Sequence, residues 1–339
     1  MVFKLEVCQP TVLISGRKVE MKKISLLVLL LATGLFVRAQ TVQKGPYTIR
    51  VLADGVYHIE DANDSNPAGI FTDGAGKMVR MNNSSDMYLV VGGEKALLID
   101  LSNAVEWHGS ATKSLRSIVY ERVDGREFFI TVTHRHGDHL GMLPAFRDDS
   151  GVKFWISGTE FNGTDIFPGE RTEFFMESAS FDLGGGFVID STEVPGHTNH
   201  STIFFLRGKN LAFTGDAIGS GSGVWLFNKE SFYTYRNSIE NLIAYIEDPS
   251  NNIHPEKLEI HGGHAWQRGK QKLTGRYVYD MRTLMERMGR GTAETGPMSA
   301  PMSFLDTNFK YGTATITWNK EAAAEYAESV RTGSDPSDL

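Results

Sequence analysis

The sequence predicts a mixed α/β domain in which sheets are covered by helices. Apolar runs with the composition of buried strands occur in both halves of the chain, and apolar residues at helical spacing lie between them. Histidine and aspartate residues follow several of these runs, at positions where strand ends meet at the edge of a sheet. Together these observations favour one large domain with a polar site at the strand ends.

The N-terminal segment is predicted to lie outside that domain. Met21-Lys22-Lys23 precedes a short apolar run at residues 24–36 and then Val37-Arg38-Ala39, a pattern typical of a secretory signal peptide. A membrane span needs about 20 apolar residues, and this run is shorter. We therefore expect a signal cleaved after Ala39, an exported (periplasmic or secreted) protein and no stable membrane anchor. Residues 1–20 form an upstream extension, which we interpret as a start assigned too early.

Composition and charge limit the class of protein. The 339 residues are 41% hydrophobic and 22% charged, with a mean hydropathy of −0.23, as in a globular protein with a sizeable core. Loss of residues 1–39 removes six of the 34 basic and two of the 41 acidic side chains, which leaves a net charge of −11. This balance disfavours a nucleic-acid partner. Cys8 is the only cysteine, so the folded domain has neither a disulfide nor a thiolate ligand.

The first half of the chain predicts two hairpins, a helix and a strand. Their residues are, in order, 47–52 with 55–59, 88–91 with 96–99, 110–120, and 128–132. Residues 61–86 are rich in Asn, Asp, Ser and Gly and predict a long loop near the site.

The second half predicts further buried strands at 187–189, 202–206, 211–213 and 258–260. Two helices are indicated by apolar residues at helical spacing, which are Ile239, Leu242, Ile243 and Ile246, and then Val278, Met281, Met285 and Met288. We expect a loop at 291–302, a last strand at 314–318 and a disordered end at 332–338. The domain is accordingly assigned to residues 40–302, followed by a C-terminal strand and tail at 303–339.

Four potential metal ligands lie within six residues directly after the strand at 128–132. They are His134, His136, Asp138 and His139. Two histidines two positions apart can point the same way from an extended backbone, and Gly137 permits a sharp change of direction. Imidazole and carboxylate together suit zinc or a similar first-row cation. Three later segments each add a ligand after a strand and a tight turn, namely His197, Asp216 and His264.

This pattern resembles the metallo-β-lactamase superfamily, whose mark is His-x-His-x-Asp-His after a strand. The resemblance covers about residues 47–290 and implies a four-layer αβ/βα sandwich with two Zn²⁺ ions per chain, or iron or manganese in their place. One metal would take His134, His136 and His197, the second Asp138, His139 and His264, and Asp216 would bridge them. A hydroxide shared by the metals would attack the substrate, and Asp138 would steer it or pass its proton on.

For several nearby residues the sequence leaves two interpretations open. His261 is an alternative to His264 as the last ligand and otherwise lies at the lip of the site. Asp100 either orients a ligand histidine or simply ends a strand, and His200 either reaches toward substrate or lies on a loop. The glycine-rich segment after Asp216 leads to aromatic residues that either line an apolar wall or pack in the core, namely Trp225, Tyr233 and Tyr235.

The resemblance implies an exported dinuclear-zinc hydrolase of a small molecule, and we favour a carboxylic ester or lactone. β-Lactamases of the superfamily carry cysteine or serine where this chain has Asp216, which argues against efficient lactam hydrolysis, although export would suit it. The alternatives are a β-lactamase-like activity and thioester or phosphodiester hydrolysis. Two rivals are not hydrolytic: a mononuclear iron dioxygenase that uses His134, His136 and His197, and a metal-binding protein without turnover. The sequence leaves the oligomeric state open.

Overall fold

The computed structural model describes residues 41–67, 70–72, 76, 78–80, 83–221, 223–269, 271–302 and 305–334. The predicted signal peptide from Met21 to Ala39 and the last residues of the predicted tail, 335–338, lie outside this description. The chain from Thr41 onward forms one compact unit. Of the helices described, none combines the length and apolar character that a membrane crossing requires.

The first sheet contains eight strands. In order across the sheet they are β1 (Val42–Lys44), β2 (Tyr47–Ala53), β3 (Val56–Asp61), β6 (Asp86–Val91), β7 (Lys95–Ile99), β8 (Glu127–Thr131), β9 (Val152–Ser157) and β10 (Thr172–Phe175). Neighbours from β1 to β7 run antiparallel, and those from β7 to β10 run parallel. Both predicted hairpins are confirmed, as β2–β3 and β6–β7.

A second sheet faces the first. It consists of β11 (Ala179–Asp182), β12 (Val188–Glu193), β13 (Thr202–Leu206), β14 (Leu211–Gly215), β16 (Glu259–Gly262) and β17 (Leu273–Thr274). A smaller third sheet has the order β15 (Val224–Trp225), β20 (Ala314–Trp318), β19 (Leu305–Tyr311) and β18 (Glu294–Met302). A separate hairpin joins β4 (Ile70–Thr72) and β5 (Met78–Arg80).

In the described residues, six α-helices accompany the sheets. They are α1 (Ala111–Val123), α2 (Gly137–Leu140), α3 (Pro144–Arg147), α4 (Lys229–Glu247), α5 (Arg276–Gly289) and α6 (Lys320–Thr332). Single 3₁₀ turns lie at Asn63–Ser65, Gly169–Arg171, Pro249–Asn251 and Ala265–Arg268. The predicted helices at 110–120 and around Ile239 and Val278 are confirmed as α1, α4 and α5.

Three buried clusters of apolar side chains define the layers. Tyr88 and Leu97 of the first sheet meet Phe204 and Phe213 of the second between the two sheets. The outer face of the first sheet packs on α1 and α3, and that of the second packs on α4 and α5. Successive strand residues point to opposite faces, so the central strands are apolar on both sides. The predicted four-layer α/β sandwich is thereby confirmed.

Two predicted loops differ from the structure. The loop predicted at 291–302 was wrong, because residues 294–302 form β18. Proline disfavours a central strand but is tolerated at a sheet edge, and β18 is an edge strand whose register shifts after Pro297. The segment 61–86 is also not a continuous loop, since it contains a 3₁₀ turn and the β4–β5 hairpin.

The C-terminal region contains a helix that was not predicted from the sequence. Helix α6 begins after Asn319, whose side chain accepts a hydrogen bond from the backbone N–H of Ala322, and ends at Gly333 in the left-handed conformation. These are the usual start and stop residues of a helix. The third sheet combines β18, before residue 303, with β19 and β20, so the predicted boundary between 302 and 303 lies inside the β18–β19 hairpin.

Candidate metal centre

The segment that follows β8 carries the first four candidate ligands. The backbone N–H of Thr133 donates to Oδ1 of Asp100 (2.7 Å), which holds the chain as it leaves the sheet. His134 is then fully buried, and His136 precedes the short helix α2, which carries Asp138 and His139. The strand end therefore places two imidazoles before the helix, and the helix presents a carboxylate and a third imidazole.

The first group of ligands consists of three histidines. One nitrogen from each of His134, His136 and His197 lies within 4.8 Å of those of the other two. Nε2 of His197 is 3.0 Å from Nδ1 of His136. His197 comes from the turn between β12 and β13, so two distant segments of the chain meet here. Three imidazole nitrogens facing a common point form a donor set that suits zinc.

The second group consists of Asp138, His139, Asp216 and His264, whose donor atoms also lie within 4.8 Å of one another. Nε2 of His264 is 3.4 Å from Oδ2 of Asp138. The structure thus places His264 in this group, and His261 is not a member of it. The carboxyl ends of β14 and β16, which run parallel, deliver Asp216 and His264 to the same edge of the second sheet.

Asp216 contacts both groups. Its Oδ2 lies 3.6 Å from Nε2 of His197 in the first group and 3.4 Å from Nε2 of His264 in the second. Its Oδ1 lies 3.4 Å from Nε2 of His139 and accepts a hydrogen bond from Oγ of Ser220 at 2.7 Å. A carboxylate in this position can give an oxygen to each of two cations about 3.5–4 Å apart.

Two buried imidazole nitrogens without hydrogen-bond partners show that these residues suit metal ions. Nε2 of His134 and Nε2 of His139 are buried, and no group in the described part of the chain hydrogen-bonds either atom. Buried polar atoms without partners are rare and costly, so an unfilled nitrogen aimed into a cluster of donors indicates a cation. The residues of both groups therefore fit divalent metals.

In three of the buried ligand histidines, the protein holds Nδ1, the ring nitrogen that points away from the cluster. Nδ1 of His139 donates to Oδ2 of Asp100 (2.9 Å), Nδ1 of His197 to the carbonyl oxygen of Trp225 (3.1 Å), and Nδ1 of His264 to the carbonyl oxygen of Ser84 (2.8 Å). Such bonds fix the tautomer and the direction of the ring, as is usual for histidines that bind metals. Nε2 is thereby left facing the cluster in all three residues.

The electrostatics differ between the two groups. Burial, with help from neighbouring histidines, lowers the pKa of His134 well below its usual value and lowers that of His136 to about 4. Burial also lowers the pKa of His139, but Asp100 and Asp216 outweigh it and raise that pKa well above its usual value. Neutral imidazoles in the first group and carboxylates paired with imidazoles in the second are suited to positive ions.

Two of the predicted lip residues contact the centre from behind. Asp100 holds His139, as described above. Trp225 contributes its backbone carbonyl oxygen to His197.

Tyr235 is fully buried, packs against Gly196 and donates its hydroxyl to the carbonyl oxygen of Ala217 at 2.6 Å. It therefore supports the turn of His197 and cannot line an apolar wall for substrate.

Three other predicted residues lie away from the ligands. Tyr233 packs its ring against Phe232 and Tyr326 on the side of α6. His200 is half exposed, and its Nδ1 lies 3.2 Å from Oε2 of Glu193. His261 packs beside the rings of Tyr88 and Phe213, which also contact each other. For Tyr233 and Tyr235 the structure shows the second of the two predicted alternatives, since both side chains pack within the protein and neither lines an apolar wall beside the ligands.

Glu160 was not singled out in the sequence, but it ties two ligand segments together. Its Oε1 accepts a hydrogen bond from the backbone N–H of Arg135 (3.0 Å), and its Oε2 accepts one from the backbone N–H of His200 (3.1 Å). It is a buried acidic residue, only 4% exposed, after β9. No local motif surrounds it, so only the folded structure reveals this role.

A third group of candidate donors, His58, Glu60 and Asp86, lies behind the centre. Arg50 pairs with Glu60 at 2.5 Å, and Nε2 of His58 lies 2.5 Å from Oδ1 of Asp86. Oδ2 of Asp86 accepts the backbone N–H of Ala265 at 2.6 Å, next to His264. Because Arg50 already pairs with an acidic residue of this group, the group serves to hold the loop that carries His264.

Comparisons with known proteins agree with this geometry. The family model of the metallo-beta-lactamase superfamily matches residues 81–255, just over half of the chain. Among curated proteins, the chain is 28% identical over 140 residues to an atrochrysone carboxyl ACP thioesterase from Aspergillus fumigatus, covering 41% of this chain and 30% of that protein. It is 27% identical over 159 residues to the hydroxyacylglutathione hydrolase GloC of Haemophilus influenzae, covering 41% of this chain and 72% of that protein.

The solved structures show the same fold. A metallo-beta-lactamase from Pontibacter korlensis superposes with a TM-score of 0.50 at 17% identity, covering 71% of this chain and 99% of the other. The chain spans less than half the length of the fungal relatives that it matches. Sequence match, layer order and ligand pattern lead to one assignment: the chain belongs to the metallo-beta-lactamase superfamily.

Proposed function

We propose that this protein is an exported hydrolase that holds two Zn²⁺ ions and cleaves a carboxylic ester or lactone. The observation that carries the proposal is the position of Asp216, whose two oxygens reach the histidines of both ligand groups. A single-metal site would not need a carboxylate between two complete donor sets.

The chain's own residues would divide the work as follows. His134, His136 and His197 would hold the first cation, and Asp138, His139 and His264 the second, with Asp216 shared. When bound, such cations polarise a carbonyl oxygen and acidify a water molecule. Asp138 lies at the edge of the second group, 3.4 Å from His264 and partly exposed, so its carboxylate can orient the attacking water and carry a proton to the leaving group.

The surroundings of the first group favour an organic acyl substrate. The ring of Phe227 packs at 6.0 Å from that of His136 and 5.6 Å from that of His197. An aromatic face beside the metal ligands suits the apolar part of an ester or lactone. The side chain of Arg135, between His134 and His136 in sequence, is 54% exposed, and its Nε lies 4.0 Å from Oε1 of Glu160.

Thioester hydrolysis is the second candidate. It is favoured by the names of two relatives, a thioesterase and a hydroxyacylglutathione hydrolase. Both candidates are acyl transfers to water and need the same ligands, so the substrate alone separates them. The proposed export, which rests on the segment from Met21 to Ala39, favours the ester, since a glutathione thioester is an intracellular compound.

The decisive experiment combines metal analysis with hydrolysis assays on the chain from Gln40 onward. We expect two zinc ions per chain in the wild type and turnover of at least one member of a panel of esters, lactones, thioesters, β-lactams and phosphodiesters. Asp216→Ala should lose both the full zinc content and the turnover, whereas Asp54→Ala, at an exposed turn, should retain both. Equal rates in wild type and Asp216→Ala, or a single iron per chain, would overturn the proposal.

Export requires its own test. Expression of the full chain in a Gram-negative host should yield a mature protein that begins at Gln40 and is found outside the cytoplasm. A mature N-terminus before residue 40 would contradict both the cleaved signal and the interpretation of residues 1–20.

A further inference from the structure

The loop between Asp216 and helix α4 is paired with the C-terminal part of the chain. Two of its residues form β15, which runs parallel to β20 with Val224 opposite Ile316 and Trp225 opposite Thr317. The backbone N–H of Leu226 donates to the carbonyl oxygen of Thr317 at 3.1 Å. A segment next to the candidate metal centre is therefore the edge strand of the third sheet.

Packing around this pair leaves little room for movement. A Cβ atom at Gly223 would lie 2.8 Å from Cγ2 of Thr315 and 3.0 Å from Oγ1 of Thr317. Val224 and Ile316 are fully buried in the same core. In the first turn of α4, the ring of Phe232 stacks on Trp318 at 4.5 Å. Such close approach means that β15 cannot shift without disturbing β20.

The same loop touches a metal-ligand histidine. The carbonyl oxygen of Trp225 accepts the hydrogen bond from Nδ1 of His197 at 3.1 Å. This bond turns Nε2 of His197 toward His136 and Asp216, which lie 3.0 and 3.6 Å away. The peptide unit that orients His197 also supplies the N–H of Leu226, so one rigid peptide plane is held by β20 on one side and holds the ligand on the other.

We infer that β20 positions the ligand His197 through β15, so that the C-terminal sheet is a working part of the metal centre. The inference rests on the proposed function, because it assigns a purpose to the orientation of a metal ligand. β15 lies within the family match, which ends at residue 255, whereas β20 lies outside it. Groups that orient ligand histidines typically change metal affinity by 10- to 100-fold when they are lost.

The test separates β15 from β20 and measures zinc binding by competition with a chromophoric chelator. Gly223→Ala places a methyl group against Thr315 and Thr317, and one of the two zinc ions should bind 10- to 100-fold more weakly. Gly296→Ala in β18 of the same sheet is the matched control, because the nearest atom to its added Cβ is Nζ of Lys310 at 3.9 Å. That variant should bind both ions as the wild type does. Unchanged affinity in a folded Gly223→Ala protein would overturn the inference.

A second pair of variants keeps the test valid if Gly223→Ala does not fold. Ile316→Ala removes the side chain of β20 opposite Val224, and Ile246→Ala makes a similar cavity in the same core but in α4. Only Ile316→Ala should weaken zinc binding, by the same 10- to 100-fold. An equal effect in both variants would show general destabilisation, and no effect in Ile316→Ala would show that β20 does not position His197; either result would overturn the inference.

The outcomes also separate the two proposals. A wild-type protein that takes up no zinc overturns the proposed function and the inference with it. If the wild type binds two zinc ions and the variants bind zinc with the same affinity, only the inference is overturned. The measured quantity is zinc affinity, so the result does not depend on which substrate the enzyme cleaves.

Discussion

Oδ2 of Asp100 lies 2.9 Å from Nδ1 of His139, and both side chains are buried. The other carboxylate oxygen accepts the backbone N–H of Thr133, which immediately precedes His134. One carboxylate at the end of β7 therefore holds a ligand of the second group and the approach to a ligand of the first. Asp100 has φ = 64°, a conformation that asparagine also adopts readily.

Replacing this carboxylate tests its role directly. Asp100→Asn keeps the shape and the backbone conformation but removes the charge that orients His139, so zinc affinity should fall by about 10- to 100-fold. Asp124→Asn is the matched control, because Asp124 is an exposed aspartate at positive φ at the end of α1. Isothermal titration of both variants with Zn²⁺ checks the prediction. Equal affinities would contradict a positioning role for Asp100.

The space at Gly263 gives a second prediction. A Cβ atom there would lie 2.4 Å from Oδ1 of Asp216 and 2.6 Å from Cε1 of His139, two residues of the second ligand group. Gly263→Ala should therefore abolish binding of one of the two cations and reduce hydrolysis at least 100-fold, because the ligands must separate to admit the methyl group. Gly137→Ala adds a methyl with no atom within 4 Å, and it should retain both metals. Metal content and kcat of the two variants decide the matter.

Glu160 leads to a prediction about stability. Glu160→Ala removes the acceptor of the backbone N–H groups of Arg135 and His200, and an unmade bond of this kind costs about 1–3 kcal/mol. We expect the free energy of unfolding in urea to fall by about that amount. Glu170→Ala, whose side chain is 77% exposed, should change it by less than about 0.5 kcal/mol. Similar effects of the two substitutions would show that the contacts of Glu160 contribute nothing.

His261 predicts how stability depends on pH. Burial lowers its pKa to about 4, with His58 and Lys272 acting in the same direction and Asp86 against it. The unfolded chain binds a proton near pH 6.5, whereas the folded protein does so only near pH 4. The unfolded state therefore holds more protons between these values, and stability falls as the pH decreases from 6.5 to 4.

The measurement compares metal-free wild type with His261→Gln at pH 7.5 and pH 4.5. The wild type should lose about 2–3 kcal/mol more of its unfolding free energy between these pH values than the variant does. The ligand histidines titrate in both proteins, so their contribution cancels in the difference. Equal losses of unfolding free energy in the two proteins would mean that His261 has the same pKa in the folded and the unfolded state.

Local patterns explain why much of the fold was predictable. The paired apolar runs at 88–91 and 96–99 became β6 and β7 because strands buried on both faces must be apolar at every position. The strand predicted at 128–132 corresponds to β8, which ends one residue earlier, at Thr131. The start and stop residues of α6, Asn319 and Gly333, are also present in the sequence, although no helix was predicted there.

Other features had no local pattern. Gly137 was expected to redirect the chain by its conformational freedom, yet it is an ordinary first residue of α2. Tyr233 and Tyr235 look alike in sequence, but two residues along a helix turn a side chain by about 200°. One therefore packs beside Tyr326, and the other lies beneath the turn of His197. Their surroundings depend on how α4 rests on the second sheet.

The sequence by itself determined which donor atoms are available, their order and their positions after strands, because strand ends and tight turns are set by neighbours in the chain. Only the tertiary structure decided that Asp216 reaches both ligand groups, that Glu160 ties two loops together, and that β20 supports the carbonyl oxygen that holds His197. Each of these contacts joins residues far apart in sequence. Their energy comes from the packing of whole sheets and helices, so no short stretch of the chain contains the information that specifies them.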